Sequence, residues 1–138
     1  MDNITTIDNE QKSHFMNLYA MALTDTQIDT IELEMLFKMG EDRGIPKEEI
    51  QKLILFPDQV KFSIPSDTLV KMEYLYDFAR MAWANGEIDE YEEITLIKFC
   101  NKFGFEAANA PKIAQFLIEE AKKGTDKQSL LELVKQNL

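Results

Sequence analysis

Two short acidic stretches hold the residues best suited to chemistry. One reads Ala22-Leu23-Thr24-Asp25-Thr26-Gln27-Ile28-Asp29-Thr30-Ile31-Glu32, the other Ala82-Trp83-Ala84-Asn85-Gly86-Glu87-Ile88-Asp89-Glu90-Tyr91-Glu92. Carboxylate and amide oxygens are the donor set of a hard cation such as calcium or magnesium, whereas zinc favours His and Cys. Asp25, Glu32, Asn85, Glu87 and Glu92 are the candidate ligands, and they would make one site if the two turns face each other.

Helix capping is the competing reading of the same residues. Asp29 with Glu32, and Asp89 with Glu92, have the capping-box spacing, in which each side chain satisfies a backbone N–H at the start of a helix. Ile28 and Ile88 then sit where a hydrophobic staple would. The run Asn85-Gly86-x-Ile88-Asp89-x-x-Glu92 also has the spacing of the latter half of an EF-hand loop. Its first two ligand positions would fall on Met81 and Trp83, or Met21 and Leu23 in the other stretch. Those side chains offer no oxygen, so an EF-hand is rejected.

Elsewhere the chain offers little to catalysis. His14 is the only histidine and is expected at the surface or half-buried, with no role, which leaves no His dyad and no two-His zinc site. Cys100 sits between Phe99 and Asn101 and reads as a small buried hydrophobe. No Gly-rich phosphate loop and no Gly-x-Ser-x-Gly elbow is present. The seven methionines fall mostly at helical core spacing, as filler or as the lining of an adaptable groove.

The elements that position these residues are helical. Hydrophobic residues make up 45% of 138 residues, with 5 Gly and 4 Pro, between long runs of helix formers. The net charge of −10 opposes binding to a polyanion, so nucleic acid is not an expected partner, and cations or basic protein surfaces suit the chain better. No apolar run is long enough to span a bilayer, and no signal-peptide pattern opens the chain, so a cytoplasmic location is expected.

Apolar residues recur with a period of 3.6, predicting about seven helices. The first opens near Asp8. The second runs from Thr30 to about Arg43 and is closed by Gly44, and the third runs from Pro46 to Leu55. Pro57 and Pro65 bracket a loop that could offer a docking edge, although packing over the core is the plainer expectation for its Val60, Phe62 and Ile64. A long fourth helix starts at Ser66 or Asp67, a fifth runs from Asp89 to Gly104, and a sixth from about Pro111 to Lys123. Thr125 with Gln128 opens the seventh.

Sliding the chain by 60 residues superposes two helical units without a gap. Ile28-Asp29 falls on Ile88-Asp89, Glu32 on Glu92, Leu36 on Leu96, and Gly44 on Gly104. The expected architecture is one all-α domain spanning residues 1–138. It would comprise a repeat at about 8–56, a second at about 66–123 and a C-terminal helix at about 126–137, with the repeats packed in pseudo-two-fold symmetry.

Helix, then Ala-x-x-Asp-Gly-x-Ile-x-x-x-Glu, then Leu and a closing Gly, resembles the tellurite-resistance TerB-like family over roughly residues 15 to 120. Thr26 stands where that pattern has Gly, and Asn85 where it has Asp. The resemblance implies a bundle of two related helical halves, a link to tellurite resistance or stress response, and a divalent cation held by clustered acids. It also implies an accessory role beside a protein partner, without catalysis. Two other readings stand: a metal-free interaction scaffold, and a carboxylate enzyme acting on a small substrate. A pocket away from the turns, lined by Met and Phe, would favour the scaffold; carboxylates converging in a cleft would favour the enzyme.

Overall fold

The computed structural model describes residues 9–22, 30–56, 62–84 and 86–136, together with the backbone but not the side chains of residues 20–22. These residues form an all-α structure of seven helices: α1 (Asn9–Ala22), α2 (Thr30–Asp42), α3 (Lys47–Leu55), α4 (Thr68–Trp83), α5 (Glu90–Lys102), α6 (Ala110–Lys123) and α7 (Lys127–Gln136). The chain divides into two compact units, Met1–Ser63 and Ile64–Leu138.

In the first unit α1, α2 and α3 pack against one another around Phe15, Leu18, Leu36, Met39, Ile45 and Ile50, all buried. Gly40 lies inside α2, where glycine costs roughly 0.5–1 kcal/mol relative to alanine. Its use is the close approach of α3, since a Cβ there would stand 2.3 Å from Ile50 Cδ1. Gly44 ends the helix with φ 76°. Its N–H donates to the Glu41 carbonyl and that of Ile45 to the Gly40 carbonyl, the Schellman pattern. Ser63 is clipped to α1, donating its N–H to Ser13 Oγ at 2.9 Å. Phe62 and Ile64 are 51% and 39% exposed, contrary to the expected packing over the core; the contact with α1 is made instead by the Ser63 backbone. Val60 lies outside the described residues.

In the second unit α4 packs against α5, α6 and α7. An amphipathic helix buries one stripe, but α4 buries nearly every residue from Tyr74 to Ala82, as expected of a helix with neighbours on several sides. Phe78 stacks on Phe99 with ring centroids 4.5 Å apart, and Phe103 meets both edge-on. Gly104 repeats the helix ending of Gly44, with φ 99°, its N–H donating to the Asn101 carbonyl and that of Phe105 to the Cys100 carbonyl.

Asp67 caps α4 by accepting from the Leu69 N–H. At α7 the expected cap is corrected: Asp126, not Thr125, accepts from the Ser129 N–H and hydroxyl. Thr125 is diverted because its hydroxyl donates to Glu120 Oε1 at 2.8 Å. No helix among the described residues is long and apolar enough to cross a membrane.

Candidate functional site

The second acidic turn is built as a helix start. Gly86 takes φ 89°, a left-handed conformation that glycine adopts without a steric penalty. The chain then extends to Asp89, whose carboxylate accepts from the Glu92 N–H at 2.7 Å, while Glu92 Oε1 accepts from the Asp89 N–H at 3.1 Å. Both halves of the capping box are therefore formed, and Glu92 is 5% exposed. Glu87 points to solvent. In the first unit Glu32 occupies the same third position of its helix and is 3% exposed. Asp25, Asp29 and Asn85 lie outside the described residues. Among the described residues no group of three or more His, Cys, Asp or Glu is arranged to hold a metal ion.

A concave surface lies elsewhere in the second unit. Helices α4, α6 and α7 leave a groove of about 550 Å³. Buried Met72 and Val134 form its floor, and half-buried Phe105, Ile113, Phe116 and Leu133 its walls. Exposed Thr68, Asn109 and Lys112 complete the lining. Met72 precedes Trp83, at the end of α4, by eleven residues, which puts the groove roughly 16 Å along the helix from the acidic turn. The volume and the apolar walls with few polar groups are those of a ligand site between bundle helices.

Comparison with protein-family models, with curated proteins and with solved structures gives no match. The fold and the groove therefore carry the functional argument by themselves.

The remaining reactive side chains serve packing. Cys100 is buried, and burial pushes its thiol up to about 12, so it is a poor nucleophile at neutral pH. His14 is also buried, 2% exposed rather than at the surface or half-buried as expected, with its ring edge-on to Phe15 at 5.5 Å. It belongs to the inner face of α1 with Ser13, Phe15 and Leu18.

Two polar features escaped the sequence reading. Asp77 is fully buried in α4, and Lys127 Nζ at the start of α7 lies 3.2 Å from its Oδ1. Tyr76, also fully buried, donates its hydroxyl to the Thr125 carbonyl at 2.5 Å, with the Glu120 carbonyl at 3.3 Å. Burial raises the Tyr76 hydroxyl above its ordinary value of 10.0. Glu120 is lowered, chiefly by the Thr125 hydroxyl and then by Lys123, whose Nζ is 3.2 Å from Oε2. These contacts tie the α6–α7 corner to α4. Their only trace in the sequence is an aspartate inside an apolar stripe.

Proposed function

We propose that this chain is a non-enzymatic accessory module that works by binding, with the groove between α4, α6 and α7 as its working surface. The observation that carries the reading is the character of that groove: it is floored and walled by Met, Phe, Ile, Leu and Val, and among the described residues none of Asp, Glu, His or Cys lines it. Such a surface can hold an apolar group, and its described side chains offer no acid–base pair to act on one. A TerB-like role beside a protein partner, in tellurite resistance or a related stress response, agrees with this reading. The test is an amide NMR titration with a neutral apolar probe, 1-decanol. Shifts concentrated on the groove residues are expected. Absent shifts, or shifts scattered over the surface, would refute the groove as the working surface.

The divalent cation at the acidic turns is a second reading, supported by the burial of Glu32 and Glu92 at the same helix position. Thermal unfolding after chelation, with calcium, magnesium or manganese restored, tests it. A cation at a hundred times its dissociation constant would stabilise the fold by about 2.7 kcal/mol. That gain would disappear in a Glu32→Gln, Glu92→Gln variant. No gain in the unmodified chain would leave Asp89 and Glu92 with capping as their whole role.

We also infer that the two units are copies of one ancestral segment. Support comes from α2 and α5, whose bounds differ by the same 60 residues, and from their identical helix endings at Gly44 and Gly104.

A further inference from the structure

The geometry points to an anionic amphiphile, a monocarboxylate carrying an unbranched apolar tail, as the occupant of the groove between α4, α6 and α7; this rests on that groove being the working surface. Size argues for a small molecule. The lining runs along α6 from Asn109 to Phe116, about 10 Å at the helical rise. With about 550 Å³ of space, that accommodates a single chain-like ligand.

Charge decides the head group. The chain carries −10 overall, yet Lys112 is the one charged residue among the described residues of the lining. A second cation stands beside the wall, with Lys71 Nζ 5.9 Å from the centre of the Phe105 ring. The other polar side chains of the lining, Asn109 and Thr68, both carry hydrogen-bond donors. The first turn of α6 carries no acidic residue to oppose this charge. A carboxylate at this rim meets donors and positive charge. An ammonium would meet Lys112, and a neutral head would leave the cations unused.

The experiment compares decanoate with 1-decanol and decylammonium, each well below its micelle concentration, by calorimetry and amide shift mapping on the whole chain at pH 7.5. Decanoate is expected to bind about fivefold more tightly than 1-decanol, the upper scale of an exposed ion pair. Decylammonium is expected to bind most weakly. In a Lys71→Gln, Lys112→Gln variant, which removes one half-buried and one exposed ammonium, decanoate and decanol should become equal. Three results would overturn the inference: decanol binding as tightly as decanoate, the decanoate preference surviving in the variant, or decanoate shifts lying outside the groove. Decanol binding in the groove without a decanoate advantage removes the anion and leaves the groove standing. Failure of both probes to bind removes both.

Discussion

Replacing Tyr76 by Phe removes one oxygen from a fully buried position and keeps the ring, so it isolates the hydroxyl that ties α4 to the α6–α7 corner. The hydroxyl has one proton, and the 2.5 Å separation from the Thr125 carbonyl identifies its main acceptor. The Glu120 carbonyl keeps another donor, the Thr125 N–H at 3.1 Å, so it is not orphaned by the change. The loss is therefore one buried hydrogen bond with one carbonyl left short of a donor, about 1–2 kcal/mol. For a chain of this length that lowers the unfolding midpoint by about 3–7 °C. Differential scanning calorimetry of the two proteins reads it, with Tyr91→Phe, whose side chain is 66% exposed, as a control expected to change nothing. Alkaline pH supplies a second readout. Because burial raises the Tyr76 hydroxyl above 10.0, its contribution is complete below that pH and is lost as pH rises through the higher folded value. The gap between the two midpoints should hold constant up to pH 10 and narrow above it. An unchanged midpoint in Tyr76→Phe, or a gap that ignores alkaline pH, would refute the assignment.

Other outcomes follow from the same contacts. Lys127→Met should cost about 1–3 kcal/mol in chemical denaturation; that is below the full penalty of a stranded buried charge, because Lys127 is 27% exposed and Asp77 keeps further interactions. Asp89→Ala removes the cap of α5 and should cost about 1 kcal/mol, read as a shift in urea midpoint at constant slope. Cys100, with its thiol at about 12, should resist iodoacetamide at pH 8 until the chain unfolds, and alkylation at native rates equal to a free thiol would contradict its burial. Glu120 is held below its ordinary value of 4.5, so its contribution is complete above that pH and is lost as pH falls through the lower folded value. Glu120→Gln should accordingly lose part of the acid-induced destabilisation that the unmodified chain shows below pH 4.5.

Local signals were legible because they act over a few residues. Asp67 before Thr68, Asp89 with Glu92, and glycines 44 and 104 satisfy backbone groups within one turn of their own helix, and a linear reading finds such partners. Where two local choices competed, the reading failed for a physical reason. Thr125 has cap chemistry, yet its hydroxyl is taken by Glu120, and Asp126 beside it caps α7. His14 reads as a surface or half-buried residue beside Phe15, but the face of α1 that holds Phe15 and Leu18 extends over it.

The amino-acid sequence by itself determined the seven helices, their bounds to within a residue or two, and the capping-box spacing of Asp89 with Glu92. Hydrophobic period and capping geometry are properties of contiguous residues. Tertiary structure decided which faces meet. Only the packing of α4 against three helices could bury Asp77 and bring Lys127 to it from fifty residues away. Only the approach of α7 to α4 and α6 could turn Met72, Phe116 and Val134, ordinary core residues in a linear reading, into the lining of a groove. A groove is a gap between faces, and no single helix encodes the space that its neighbours leave unfilled.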